Sequence, residues 1–565
     1  MSSSSPTRPR KLGFASEAWK RTRALLPQRS DFRAMRRNPK RDILAGVTVA
    51  VVALPLALAF GVASGLGAAA GLVTAIVAGL LAAVFGGSNL QVSGPTGAMT
   101  VVLLPIVATV GPQGVLVVGL MAGVILVVLA YAGVGRYMRY IPLPVVEGFT
   151  LGIAVIIGLQ QVPVALGVDA HGERVVLTAL WALREWLHAP QWAPVLIAAI
   201  VAGTMLIALR LRPGLPVSLA VVIVVSVAVS LAGVDVDTIG AIPAGLPAPT
   251  MPVIPWDHIS ALMVPAIAVA ALAALESLLC ATVADAMTVG ERHDPNRELF
   301  GQGIANLAVP FFGGVPATAA IARTAVNVRT GARSRLGAIT QSLALMVVIL
   351  AAARWVSYIP LAALAGVLIA TVIQMIEVSS LRSVMRATRG DAVVLVATAL
   401  ATVVFDLVIA VVVGLAIAGL YALRQVAKSA QVEEIPLDSA DFSVEEQALL
   451  DENVVAYRLD GPLFFGAAHT FLLEVAETSD VKVVILRLSR VRTLDATGAA
   501  VLGDTIKTLE SRGITVLLSG IRETHDSVFE ALGVYENLSD PTHVFENTPA
   551  AIEHAREHVR MDSGA

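Results

Sequence analysis

The chain has 565 residues, of which 15% are charged and 56% are hydrophobic, and its mean hydropathy is +0.78. An ordinary soluble protein carries about 25% charged residues, so a disordered chain, a nucleic-acid binder and a soluble enzyme are excluded as the bulk of the molecule. The net charge is −2 and Cys280 is the single cysteine, which excludes a disulfide framework and a cysteine metal cluster.

The apolar excess is unevenly placed. Residues 1–42 hold 12 Lys/Arg against 3 acids and form a basic arm; its start lacks the apolar stretch of a secretory signal. Residues 43–428 are apolar almost throughout. Residues 429–452 read as a polar linker, and residues 453–560 as a separate soluble domain. From 429 to the end there are 10 Lys/Arg and 24 acids.

A bilayer core about 30 Å thick needs about 20 helical residues per crossing, so the middle zone has room for about fourteen spans. The apolar runs begin near Ile43, Gly67, Gly94, Gly114, Pro144, Trp192, Leu215, Ile259, Leu299, Val315, Leu336, Leu361, Asp391 and Leu407. With the basic arm inside the cell, every second loop falls on arginines: Arg136 and Arg139, Arg210 and Arg212, Arg292 and Arg297, Arg329 to Arg335, Arg382 to Arg389, and Arg424 with Lys428. The positive-inside rule then places both termini in the cytoplasm of a multi-pass protein of the cell (inner) membrane.

Two runs are interrupted. Gln91-Val92-Ser93-Gly94-Pro95-Thr96-Gly97 opens span 3, and Gly313-Gly314-Val315-Pro316-Ala317-Thr318-Ala319 opens span 10. Each is a short extended stretch, a proline, then small residues and a helical run. Proline suits a first helical turn, so half-helices are predicted to start at Pro95 and Pro316. Half-helices that begin inside a membrane aim free N–H groups and a positive dipole end at one spot, which attracts an anion. Matching breaks in two halves point to a seven-plus-seven inverted repeat with its site at the midplane.

Glu276 lies in the apolar stretch 270–286, where an acid costs at least ~2.5 kcal/mol and marks function. Burial disfavours the charged form of a carboxyl group, so Glu276 is the candidate proton-coupling residue. Arg323 sits seven residues past Pro316. On a helix starting there it lies about 10 Å along the axis, which assigns it a field effect and no direct contact. None of the nine histidines forms a metal-ligand pair with another, and no cofactor or metal is expected. After residue 453 strands at 454–459, 481–488 and 513–520 alternate with helices at 467–477 and about 496–511. No catalytic set appears there, and the chain does not read as an enzyme.

Leu54-Pro55, Gly94-Pro95-Thr96-Gly97, Glu276-Ser277-Leu278-Leu279, Asn296-Arg297-Glu298-Leu299, Gly301-Gln302-Gly303-Ile304-Ala305-Asn306 and Ala322-Arg323-Thr324-Ala325-Val326-Asn327-Val328 resemble the SulP family, the sulfate permease and prestin group. The tail resembles that family's STAS domain, with Asp495-Ala496-Thr497-Gly498 in its Asp-Ser-Thr/Ser-Gly loop. The resemblance implies an α-helical polytopic membrane protein of 14 transmembrane segments in core and gate parts, an elevator-like movement, a homodimer, and a small cytoplasmic α/β STAS domain. It implies a substrate site of Leu54, Pro55, Leu56 and Phe60 on span 1, Thr96 and Gly97 on span 3, and Thr318, Ala319 and Arg323 on span 10, with Glu276 on span 8. Many members carry Gln where Leu56 stands. Sodium-bicarbonate members carry Asp and Thr at Glu276 and Cys280 and lack Arg323. A sulfur is a poor ligand for a hard cation, which argues against sodium coupling. The pattern looks more like members linked to proton-driven C4-dicarboxylate uptake. The expected function is proton-coupled transport of sulfate-type anions or C4-dicarboxylates; the alternatives are a bicarbonate transporter or an uncoupled anion channel or exchanger.

Overall fold

A computed structural model describes residues 21–170, 175–211, 216–288, 292–405, 407–427, 431–435, 453–463 and 481–562. The chain divides into two compact units, Met1–Leu415 and Ala416–Ala565.

The helix α1 (Arg29–Met35) precedes the apolar zone. The order that follows is α2 (Pro39–Ala63), α3 (Ala68–Phe85), β1 (Ser93–Gly94), α4 (Gly97–Val110), α5 (Pro112–Ala132), α6 (Leu143–Leu166), α7 (Val175–His188), α8 (Trp192–Leu211) and α9 (Val217–Ala232). The same order of elements then recurs: α10 (Ile259–Ala286), α11 (Pro295–Ala308), β2 (Thr318–Ala319), α12 (Ile321–Arg329), α13 (Leu336–Val356), α14 (Leu361–Met375), α15 (Val378–Ala387), α16 (Arg389–Val404) and α17 (Leu407–Ala427). The packing repeats with it. α5 lies on α11 as α13 lies on α3; α5 meets α10 as α13 meets α2; α6 meets α16 as α14 meets α8.

A helix lies at each of the fourteen apolar runs. Among the described residues eight helical segments are long and apolar enough to cross a membrane, and Gly97–Val110, Val217–Ala232 and Ile409–Gln425 are shorter apolar helices. At 1.5 Å per residue α4 covers about 21 Å and α12 about 14 Å, too little to cross the hydrocarbon core. α7 and α15 are amphipathic helices in equivalent places, and no apolar run announced them.

Gly61 faces Gly71, so α2 and α3 touch backbone to backbone; a Cβ at Gly71 would strike the Ala57 carbonyl. Gly65, four residues past Gly61, lies beyond the end of α2 and takes no part in this crossing. Two of the arginines read as cytoplasmic loop charges are buried. Arg335 donates to the carbonyls of Ala83, Val84 and Gly86 at the end of α3, and Arg297 pairs with Asp31.

The second unit carries a sheet in the order β3-β4-β5-β6-β7, with β3 (Gln431–Ile435) antiparallel to β4 (Val454–Leu463) and β5 (Val483–Leu494), β6 (Thr515–Ser519) and β7 (Val544–Phe545) parallel. α18 (Ala496–Ser511), α19 (Glu523–Ala531) and α20 (Thr548–Asp562) accompany it. β3 lies in the stretch read as a linker, so the sheet begins before residue 453. The predicted helix 467–477 lies outside the described residues. Asp495 accepts the Gly498 N–H and caps α18, while a Cβ at Gly498 would strike the Leu463 carbonyl. One expectation is corrected here. His554 and His558 stand one turn apart on α20, and with His543 their ligand nitrogens lie within 4.8 Å of one another; the four-residue spacing puts both on one helix face.

Candidate functional site

The two interrupted segments meet. Ser93 pairs with Ala319 and Gly94 with Thr318 in an antiparallel ladder, and the Ala320 N–H donates to the Val92 carbonyl at 2.9 Å. Residues preceding Pro95 and Pro316 are biased toward extended backbone, which suits such a ladder. Its groups are paired by buried side chains. The Asn306 amide donates to the Ala317 carbonyl at 2.9 Å and accepts the Ala317 N–H at 2.8 Å, in the manner of a third strand. Thr74 treats Val315 the same way, at 3.0 and 2.8 Å. Stripping Ala317 of both partners leaves two buried backbone groups at about 1–3 kcal/mol each. Asn306→Ala should therefore lower the thermal unfolding midpoint in detergent by several degrees, and a midpoint equal to wild type would contradict this role.

α4 begins at Gly97 with Thr96 as N-cap, and α12 at Ile321 with Ala320 as N-cap; no side chain caps either first turn. This corrects the predicted helix start at Pro316. The ladder holds Thr318 and Ala319 extended, so the helix cannot begin until after them. Arg323 is accordingly in the first turn of α12 rather than two turns in. It is 1% exposed. One guanidinium nitrogen, Nη2, donates to the Pro95 carbonyl at the head of α4, while Nε and Nη1 have no partner among the described residues. Gly94 makes room for it, because a Cβ there would run into Nη1.

α10 closes the site along one face. Residues 273, 276 and 280 recur at i, i+3 and i+7, the spacing of a single helix face. The Thr318 hydroxyl donates to the Ala273 carbonyl at 3.2 Å. The Thr96 hydroxyl donates to Glu276 Oε2 at 3.1 Å. The Cys280 thiol donates to Thr324 Oγ1 at 3.1 Å, which also accepts the Val92 N–H. Glu276 is half-buried, and its charge interacts with that of Arg323.

Thr96, Gly97, Glu276, Thr318 and Arg323 are thus brought together. Phe60 joins them through Gly97, against which its ring edge lies beside Ile157. Ala319 contributes backbone to the ladder and a buried methyl. Leu54 and Leu56, with Phe60, belong to an apolar cluster that includes side chains of α8, α13 and α14. Pro55 lies inside α2; lacking an N–H, it leaves the Val51 carbonyl without its helical donor.

A layer of polar residues behind the ladder was read only as a family marker. Glu298 accepts from the Gly87 and Ser88 N–H groups and from Gln91 and Gln302, and Gln302 also donates to Ser93 Oγ at 2.7 Å. Glu298, Gln302 and Asn306 follow each other at four-residue intervals in α11, a buried polar stripe visible in the sequence once that helix is assigned.

Each half-helix N-terminus carries roughly +0.5 charge. With Arg323 and an ionised Glu276 the site holds roughly +1, and with a neutral Glu276 roughly +2. That arrangement favours an anion, and favours it more when the carboxyl is protonated.

Comparison with known proteins bears on this site. The family model described as the sulfate permease family matches residues 40–398, and the STAS domain model matches residues 447–551. A putative sulfate transporter of Bacillus subtilis, YvdB, is 33% identical over 90% of this chain and 96% of its own length. The bicarbonate transporter BicA of Synechocystis is 32% identical over 92% of this chain and 94% of its own. The solved transmembrane domain of a cyanobacterial BicA superposes with a TM-score of 0.62 at 33% identity, covering 66% of this chain and 98% of that one. The structure of SLC26A9 gives a TM-score of 0.81 at 18% identity, covering 98% and 96%, and shares the fold.

Proposed function

The chain belongs to the sulfate permease family, and from that premise we propose that it is a proton-coupled secondary transporter of sulfate-type anions or C4-dicarboxylates. Members of the family move anions across membranes and are not enzymes. The observation that carries the proposal is the Thr96–Glu276 hydrogen bond at the head of α4. An ionised Glu276 cancels charge where an anion would bind; protonation removes that negative charge, while the neutral acid keeps an acceptor for the Thr96 hydroxyl. Anion and proton then enter together.

The recurrence of element order and packing supports fourteen membrane segments in two inverted repeats of seven. Two helix groups support an elevator-like movement. α2, α3, α4, α5, α10, α11 and α13 pack among themselves around the ladder, and α6, α8, α9, α14 and α16 form the other group; they touch chiefly through α2 with α9 and α14, and α4 with α6. The basic N-terminal arm supports cytoplasmic termini in the cell membrane, and the family resemblance supports a homodimer. The soluble domain starts at β3, inside the stretch 429–452 read as a linker, because β3 joins its sheet.

Bicarbonate is the second reading, favoured by the similarity to BicA across nearly the whole chain. Uptake of radiolabelled sulfate, fumarate, bicarbonate and chloride into proteoliposomes separates the two. Accumulation of sulfate or fumarate above the outside concentration, only under an inward acid gradient, is the expected result. Bicarbonate uptake indifferent to that gradient would favour the second reading, and downhill flux alone would indicate a channel.

A further inference from the structure

Transport makes no use of a cluster of three histidines in the second unit. His543 precedes β7, and His554 and His558 lie on α20. Their rings stand edge to face, with centroids 5.0–5.3 Å apart. We propose that His543, His554 and His558 form a binding site for a divalent transition metal of the zinc type, which clamps the C-terminal helix to the end of the sheet.

The backbone on both sides is already in place. The His543 carbonyl accepts the Leu518 N–H of β6 at 2.9 Å. Ala551, Ala555 and Val559 of α20 pack on Val454, Ala456, Val483, Ile485 and Leu517, which turns the adjacent stripe holding residues 554 and 558 toward His543. Nitrogens bound to tetrahedral zinc at 2.0–2.1 Å lie about 3.4 Å apart. The present ligand atoms are all within 4.8 Å, so small side-chain rotations suffice.

The donors are suited to a metal. His554 Nε2 is buried and has no hydrogen-bond partner among the described residues. His543 Nδ1 lies 3.4 Å from Ser539 Oγ, an outer-shell contact that orients the ring and leaves Nε2 as ligand. The nearby carboxylates are engaged elsewhere: Asp540 by the Thr542 N–H and hydroxyl, and Glu510 by the Val516 N–H and Ser539. Three imidazoles and a water complete four positions. Such a set selects zinc, nickel, copper or cobalt over the hard cations magnesium and calcium.

The test uses the full chain in detergent, purified without a histidine tag and titrated with Co(II) and then Zn(II). Tetrahedral visible bands at one cobalt per chain, displaced by zinc, are expected. His554→Gln and His558→Ala should each weaken binding by more than about a hundredfold, beyond the range of outer-shell changes. His293→Ala, which removes the partner of Asp285, should bind as wild type. Absence of the bands in wild type, or their persistence in a folded His554→Gln/His558→Ala variant, would overturn the site. Zinc protection needs no variant. Bound zinc should slow diethyl pyrocarbonate modification of His554 and His558 in the wild-type protein at least about tenfold. Modification at an unchanged rate would equally overturn the site.

Discussion

Glu276→Gln should abolish accumulation of anion against its gradient while leaving a folded protein that still exchanges anion for anion. Glutamine keeps the acceptor for the Thr96 hydroxyl and the approximate volume, so α10 and α4 stay joined. It cannot ionise. The site therefore remains at its more positive setting at every pH, and apparent affinity becomes flat where wild-type affinity improves as the outside is acidified. The sign follows from the charges. Protonation removes one negative charge beside Arg323 and two helix N-termini, so acid favours anion binding in wild type. Initial rates of uptake and counterflow, measured from acid to alkaline pH, check this. A variant that keeps the wild-type pH profile would remove Glu276 from coupling.

Arg323 gives the second large effect. Its Nη2 is spent on the Pro95 carbonyl, and two further donors, Nε and Nη1, are buried without partners among the described residues. A side chain that braces one half-helix with one nitrogen and offers others to the site needs the planar fork of a guanidinium. Arg323→Ala should weaken apparent anion affinity by about 1.5–3 kcal/mol, the range for hydrogen bonds to charged groups, or about ten- to a hundredfold. Arg323→Lys should fail nearly as badly, since an ammonium keeps the charge but cannot serve both places. Concentration dependence of uptake decides the matter: near-normal affinity in the lysine variant would reduce Arg323 to a source of field.

The lysine outcome reverses what the sequence alone implied, and the reason is physical. Proline at Pro316 looks like a helix start, and a helix begun there carries Arg323 two turns away. The extended alternative is stabilised by Ser93 and Gly94, some 225 residues earlier in the chain, and by Asn306 and Thr74. No local propensity reports pairing at that separation.

Other features were legible. Runs of about 20 apolar residues are forced by bilayer thickness, so helix positions could be read directly. Gly94-Pro95 and Val315-Pro316 announced both breaks, and an acid among alanines and leucines announced Glu276. The amphipathic helices Val175–His188 and Val378–Ala387 escaped because a hydropathy window averages their two faces. The stripe of Glu298, Gln302 and Asn306 was present in the sequence, but it carried only the family resemblance until the ladder it serves was visible.

The central claim is that anion and proton cross together through the Glu276 site. Proteoliposomes loaded with a pH-sensitive dye, with no initial pH gradient and with the membrane potential clamped, test it directly. Adding sulfate or fumarate outside, whichever is taken up faster, should acidify the lumen in step with uptake for wild type and not for Glu276→Gln. Anion uptake by wild type without lumenal acidification, or equal acidification in the glutamine variant, would contradict the account.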